Sequence, residues 1–382
     1  MPGDASVLFV ADTYPPGPGG AERHTQRLAE TLWRSGRRVR ALTTSAGCPQ
    51  GDSGAAPVSR LPVPSRPPSR DLAFALLVAG ALPFLRPRYS VVQWVMTGLQ
   101  VLVGMPVAAR LGMKNVLMLA GCGEAKRLTD SSRGRMLLQV LHRHADRIIV
   151  LNPEMESELL GMGFPAARIV TLPCGADPDL FRPAREDERR TLRDRWDMPA
   201  KAAVITFTGR FVEEKCLPDL IGAFAVLASR DPQATLVLVG DGPLRKEIAS
   251  QVEAAGLTPR VRFTGMMPPA QVAEVLRLSD VYALLSRTEG IPCSLVEAVA
   301  SGLPCVVSEI SGTAMVIQHE VTGLRAPVGD VAQFSAAFES LLGDPARRER
   351  MGQAARALFL QRFTVDRVRE GYERLYAGLA QP

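Results

Sequence analysis

Short apolar runs alternate along the chain with longer stretches in which apolar positions recur every three or four residues. From Ser6 to about Leu172 the runs "VLFVA", "VVQWV", "VLMLA", "RIIVL" and "RIVTLP" predict strands. The segment after the first run, "AERHTQRLAETLWRSG", has the period of an amphipathic helix, and each later gap is long enough for another. Strands that are almost wholly apolar and separated by helices belong to a parallel sheet covered on both faces.

The rhythm then repeats. The polar, arginine-rich "RPAREDERRTLRDRWDMPAK" reads as a linker plus a solvated helix. Beyond it come strand-like "AVITFT", "TLVLVG", "VRF", "VYALL" and "PCVVS", with helical "LPDLIGAFAVLAS", "LRKEIASQVEAAG", "PAQVAEVLRLS" and "SLVEAVAS" between them. From "DVAQF" to "LYAGL" everything reads as helix. The predicted fold class is therefore α/β, with two doubly wound parallel-sheet, Rossmann-like domains facing a cleft. The predicted boundaries are 1–175, 176–365, and 366–382 for a last helix crossing back onto the first domain, which nothing in the sequence requires. In open sheets of this kind ligands sit beyond the carboxyl ends of the strands, where neighbouring connections diverge.

Composition fits this picture. A chain of 382 residues suits two domains, and 46% hydrophobic with 22% charged residues is the balance of a soluble globular protein. The net charge of +6 rests on arginine, since lysine occurs at only five positions, 114, 126, 201, 215 and 246. Such a charge suits small anions or an acidic membrane surface. Nucleic acid is the weaker reading, because no dense basic run with interleaved aromatics occurs. The six cysteines form no CxxC pair and no metal-like spacing, so a reducing compartment without structural zinc is expected. The start "MPGDASVLFVA" has no signal-peptide pattern, and the expected location is cytoplasmic, with peripheral contact at the inner membrane face left open. The apolar run "LAFALLVAGALPFL", Leu72 to Leu85, falls short of the ~20 residues a bilayer span needs. A buried helix is expected there, ahead of a surface that docks on lipid.

The chemistry concentrates in "SRTEGIPCSLVEAVASGLPCVV". Glu289 lies in the loop at the end of a strand, and Glu297 in the first turn of the helix that follows. Each has a plainer reading: Glu289 as a solvated loop carboxylate, and Glu297 as the last member of a capping box with Ser294. A helix N-terminus between them favours phosphate. Two flanking carboxylates would repel it unless each met hydroxyls, so a phosphate with hydroxyl-rich rings at both ends, the anatomy of a nucleotide sugar, fits the pattern. In "TFTGRFVEEKCLPDL", Arg210 and Lys215 follow a strand and would bring two cations to the same edge, with Gly209 allowing close approach. Their plainer reading is a surface pairing with Glu213 or Glu214.

Other loops at strand ends are "LVLVGDGPL", with Gly242, and "VRFTGMMPPAQ", with Met266. Either could hold a nucleobase through its backbone or be a simple turn. In "ADTYPPGPGGAERH" the glycines at 17 and 19 resemble a dinucleotide fingerprint, but Glu22 replaces the third glycine, which weakens a dehydrogenase reading. Amides at Gly19 and Gly20 could approach a phosphate, or the segment could be a flexible turn. His24, beside this loop, is the one histidine of functional interest.

Taken together, "GGAERH", "TGRFVEEK", "LVGDGPL", "VRFTGMM" and "EGIPCSLVE" resemble, in order and over nearly the whole chain, the retaining glycosyltransferases of family 4, which have the GT-B fold. The resemblance implies that Arg210 and Lys215 bind the donor diphosphate, that Glu297 binds ribose and that Glu289 meets hydroxyls of the donor sugar. It implies that Gly290, Ile291, Pro292, Cys293, Ser294 and Leu295 contact sugar and phosphate, and that Gly19 and Gly20 close on the phosphate. It further implies front-face attack with retention, no metal, no cofactor beyond the nucleotide-sugar donor, and no enzymic nucleophile. The chain departs from the family at "AGCGEAKR", where Cys122 and Glu124 stand without the usual histidine and become acceptor-side candidates with His24. Cys174 and Cys216 also replace the family's usual Asn and Gly.

The expected activity is transfer of a hexose-type sugar, from a UDP-sugar first among nucleotide sugars, to the hydroxyl of a small-molecule, glycan or lipid-linked acceptor. The rival readings are a sugar-nucleotide epimerase-like enzyme on the same fold and a non-catalytic binding protein for sugar nucleotides or glycans.

Overall fold

The computed structural model describes residues 6–15, 19–45, 54–121, 123–124, 127–199 and 202–380. The chain divides into two compact units, Met1–Gly175 together with Val365–Pro382, and Ala176–Thr364.

The first unit holds seven strands: β1 (Val7–Ala11), β2 (Val39–Thr44), β3 (Val58–Leu61), β4 (Val91–Val95), β5 (Lys114–Met118), β6 (Arg147–Val150) and β7 (Ile169–Thr171). They pair in the order β3-β2-β1-β4-β5-β6-β7, all parallel. β1 and β4 are buried along their whole length, which is why they read as apolar runs, broken only by Gln93 in β4. The sequence pattern passed over β2 and β3. β3 is an edge strand with half-buried residues, tied to β2 by Arg40 donating to the Ser59 hydroxyl at 2.6 Å.

The final helix, Val365–Ala380, packs on helix Gly20–Arg34 and completes the core of this unit. Tyr372 and Tyr376 lie among Val7, Phe9, Leu28 and Val91, and the Tyr376 hydroxyl donates to Gln93 on β4. The side chain of Trp94 is buried beneath helix Leu99–Arg110. Gly104 is required there because a Cβ would stand 2.6 Å from the indole ring, and the indole N–H is satisfied by Asn115 at 2.9 Å.

The second unit holds β8 (Val204–Thr208), β9 (Thr235–Val239), β10 (Val261–Gly265), β11 (Val281–Leu284), β12 (Cys305–Ser308) and β13 (Gly323–Ala326). Their order is β10-β9-β8-β11-β12-β13, again all parallel. Both sheets reverse direction of travel once, at β1/β4 and at β8/β11, and these are the two points where a parallel sheet opens a crevice for ligands.

Two expectations need correction. Helix Glu186–Arg195 is not simply solvated. Arg189 and Arg193 clamp Asp280, just before β11, at 2.5 and 2.7 Å, and burial pulls the Arg193 guanidinium's pKa down against that pairing. The run Leu72–Leu85 does form a helix, Ser69–Leu85, but it is not a buried one: only Phe74, Ala75, Val78 and Leu82 face the interior, while Leu72, Leu76, Leu77 and Phe84 are exposed.

Candidate functional site

At the β8/β11 divergence the loop after β8 turns through Gly209 and Arg210 into the single helical turn Glu213–Lys215. The loop after β11 runs from Leu285 to helix Cys293–Ala300. The Lys215 ammonium pairs with Glu289 Oε1, which also accepts from the Ser286 hydroxyl at 2.6 Å. Both side chains are largely shielded from water, so the attraction is screened little. The Arg287 amide donates to Glu214 O at 2.8 Å, joining the two loops by their backbones as well. Arg210 is exposed and stands outside this pair.

Glycines let the neighbouring loops cross at short range. A Cβ on Gly240 would meet Gly209 O at 1.9 Å, and one on Gly242 would meet the Phe211 backbone at 2.5–2.9 Å. The Phe211 amide in turn donates to Asp241 O at 2.9 Å. Gly242 is thus demanded by the crossing itself, whatever ligand lies beyond, while Met266 on the next loop is half exposed. Gly312, which the sequence reading did not single out, backs the Glu289–Gly290 segment, where a Cβ would meet Gly290 O at 2.1 Å. The bare "SGTA" of that turn gives no periodic signal, so only the fold reveals it.

Cys216 adopts φ 46°, ψ 43°, the left-handed conformation that favours glycine. Its thiol is buried, and burial raises its pKa.

Gly290, Ile291 and Pro292 are buried, Cys293 and Ser294 half-buried, and Leu295 fully buried in the first turn of helix Cys293–Ala300. The capping-box reading of Glu297 fails. The N-cap is Pro292, not Ser294, so Glu297 sits in the second turn, buried, with its charge close enough to act on Tyr282. The Tyr282 hydroxyl lies between Thr208 and Ser294, and burial pushes its pKa well up.

At the β1/β4 divergence of the first unit lies a cavity of about 250 Å3, lined among others by Asp12, Glu22, Asp71, Thr97 and Gln100. Asp12 pairs with Arg70 at 3.4 Å through Oδ2, and Arg70 also reaches Asp71 at 3.0 Å. Asp12 Oδ1 is buried without a hydrogen-bond partner among the described residues. Burial raises the Asp12 pKa, and Arg70 opposes that shift. Met96, at the end of β4, holds a positive φ of 63° beside the cavity, a conformation that costs about 1–2 kcal/mol. None of these residues was legible from spacing, because the sheet order brings together positions far apart in the chain.

Gly19 caps helix Gly20–Arg34, and Glu22 in its first turn accepts from the Thr13 hydroxyl at 2.7 Å. The fingerprint position 17 and the candidate Cys122 lie outside the described residues. His24 and Glu124 are both engaged with the protein itself. His24 is buried with Nε2 3.0 Å from the Tyr372 hydroxyl, and burial, aided by Arg27, lowers its pKa to about 4. Glu124 is buried as a loop brace, accepting from the Thr97 amide at 2.6 Å, the Thr97 hydroxyl at 2.8 Å and the Ala120 amide at 3.0 Å. Among the described residues no group of three or more His, Cys, Asp or Glu could hold a metal.

This geometry has known relatives. Residues 19–175 match the family model "Glycosyl transferase 4-like domain", and residues 188–358 match "Glycosyl transferases group 1". The chain is a GT-B-fold glycosyltransferase, related to the family 4 enzymes. The glycosyltransferase is 27% identical over 270 residues to alpha-D-kanosaminyltransferase of Streptomyces kanamyceticus, covering 69% of this chain and 68% of the relative. It is 32% identical over 185 residues to N-acetyl-alpha-D-glucosaminyl L-malate synthase of Bacillus anthracis, an alignment that spans 48% of each chain. Its fold matches the crystal structure of Anabaena HepE in complex with UDP and glucose with a TM-score of 0.81 at 21% identity, covering 98% of this chain and 100% of that one.

Proposed function

We propose that the enzyme transfers a hexose-type sugar from a UDP-sugar to an acceptor hydroxyl, with retention of anomeric configuration and without a metal. The observation that carries this reading is the shielded Lys215–Glu289 pair at the β8/β11 divergence, beside the N-terminus of helix Cys293–Ala300. The two charges pair with each other. An arriving diphosphate would take Lys215, with Arg210 as a second cation, and leave Glu289 with Ser286 to accept hydroxyls of the sugar. As the glycosidic bond breaks, negative charge builds on the departing diphosphate, and a preorganised donor at such an oxygen is worth about 3–4 kcal/mol. Glu297, buried in the next turn, would hold the ribose. The leaving phosphate would help remove the acceptor's proton, so that no enzymic nucleophile is needed. UDP is favoured among nucleotides because the fold relative HepE is described with UDP and glucose.

The carboxylate-lined cavity at β1/β4 is the proposed acceptor site. Asp12 and Asp71, not His24 or Glu124, would meet the acceptor there.

The test is turnover of UDP-glucose with a panel of acceptors, the anomeric configuration of the product being read by NMR, with and without chelator. An α-linked product formed at an unchanged rate in chelator is expected. A β-linked product, or a rate abolished by chelator and restored by Mg2+, would overturn the reading.

A further inference from the structure

We propose that the exposed apolar face of helix Ser69–Leu85, with the arginines gathered at its carboxyl end, docks on an anionic lipid bilayer surface. From Leu72 to Leu85 the first helix carries no charged side chain at all. At 100° per residue, Leu72, Leu76, Gly80 and Pro83 fall on the side opposite the buried Phe74, Val78 and Leu82, with Leu77 and Phe84 beside them. Leu76 is 57% exposed and Phe84 82% exposed. Apolar side chains gathered on one helix face and left in water mark an interaction surface. The charge-free stretch spans only about 21 Å at 1.5 Å per residue, against ~30 Å of hydrocarbon. No described helix is long and apolar enough to cross a membrane, so this one would lie on a bilayer, not through it.

Charge says which surface. Residues 72–145 contain nine Lys and Arg but only two Asp and Glu, a net of +7 against +6 for the whole chain, so the rest of the protein is slightly acidic. The two acids are Glu124, buried as a loop brace, and Asp130. Helices Ser69–Leu85, Leu99–Arg110 and Ser132–His144 pack side by side in that order. At their carboxyl ends the arginines gather. Arg86 Nε donates to Leu111 O at 2.9 Å, which brings it beside Arg110, and Arg110 and Arg143 both act on His144. Arg88 is exposed two positions further on. Lys114 pairs with Asp146 at 3.6 Å, while Arg86, Arg88, Arg110 and Arg143 form no ion pair among the described residues, and exposed apolar side chains bordered by such cations are what an anionic headgroup layer accepts. Each such cation strengthens binding by about fivefold at low salt. A second copy of this chain would bring the same cations against one another.

The docking rests on the first unit alone and is independent of the donor reading. The test is sedimentation of the full chain with phosphatidylglycerol/phosphatidylcholine vesicles and with pure phosphatidylcholine. Binding to the anionic vesicles is expected, weakened by salt, with little to the neutral ones. Leu76→Glu/Phe84→Glu should lower binding at least about tenfold at both low and high salt, and Arg88→Glu/Arg110→Glu by at least tenfold at low salt only. Melting temperatures should stay near wild type, since these side chains are exposed. Phe84→Trp keeps the face apolar, and its emission should shift to the blue on anionic vesicles. Wild type remaining in the supernatant with anionic vesicles, or unshifted Phe84→Trp emission, would overturn the proposal. So would a dimer in size-exclusion chromatography that Leu76→Glu/Phe84→Glu splits, because it would give the face to a second copy.

Discussion

Each unit opens its sheet once, yet the two openings are furnished in different ways. At β8/β11 the walls are loop backbones crossing at glycines, with a half-buried ion pair, Lys215–Glu289, at the centre. At β1/β4 the walls are side chains sent in from helices and loops, Asp12, Glu22, Asp71, Thr97 and Gln100, around an open volume. A site built of main chain holds the part of a ligand that does not vary, since amides and helix ends recognise phosphate whatever is attached to it. A site built of side chains can be rewritten residue by residue without disturbing the fold, which suits the partner that differs from one enzyme to the next.

The sharpest way to break this comparison is to remove charge from the pair. Lys215→Ala or Glu289→Gln should each lower kcat by about 10^2 to 10^3 while the fold persists, the unpaired partner costing only a few degrees of melting temperature. A variant that keeps wild-type turnover would put the chemistry elsewhere.

The next effect separates the units by acid. His24 is neutral in the folded protein, its pKa lowered from 6.5 to about 4, whereas the unfolded chain takes up a proton below 6.5. The stability of the first unit should therefore fall as pH drops from 6.5 to 4, by up to about 3 kcal/mol, and then level off. Urea unfolding followed by hydrogen exchange should show residues 20–34 and 365–380 losing protection first, and His24→Gln should flatten the slope. Equal acid sensitivity of the two units would contradict this.

A smaller effect is expected at the cavity. Asp12→Asn should raise the acceptor KM by about tenfold while leaving donor binding, read by the thermal shift with UDP, as in wild type. Because the Asp12 pKa is raised, acceptor binding that needs its charge should weaken at pH values above those at which an ordinary aspartate would lose it. A change in the UDP shift would show that the two openings are not separable.

The smallest effect is at Cys216. Replacement by glycine relieves a left-handed residue by about 1 kcal/mol but removes a buried thiol, so Cys216→Gly should move the melting temperature by no more than a few degrees. Cys216→Val, β-branched in the same conformation, should lower it clearly.

These contrasts also explain what the sequence made legible. The central strands could be read because β1, β4, β8 and β11 are buried throughout and therefore mostly apolar, with Gln93, Thr206 and Thr208 as the buried polar exceptions. β2, β3 and β13 were missed: β2 and β3 carry Arg40, Ser59 and Arg60, and β13 is four residues long with Gly323 pressed on Cys305 O. Lys215 and Glu289 could be proposed from the sequence because each lies in the connection that leaves the carboxyl end of a strand. Asp12 and Asp71 were not, since only the strand order carries helix Ser69–Leu85 to the end of β1. The protein partners of His24 and Glu124 were not legible, because polarity beside a loop looks the same in a chain whether the side chain meets a ligand or a neighbouring element.

The last helix carries a consequence for how the molecule is made. Tyr372 and Tyr376 fill the core around Val7 and Phe9, and Tyr376 donates to Gln93, so these strands wait for a helix whose Tyr376 is translated 283 residues after Gln93. During synthesis the segment Ala176–Thr364 has all of its own chain in hand before its predecessor does. A nascent polypeptide halted ahead of Val365 would expose an unfilled apolar groove, the kind of surface that chaperones hold and proteases find.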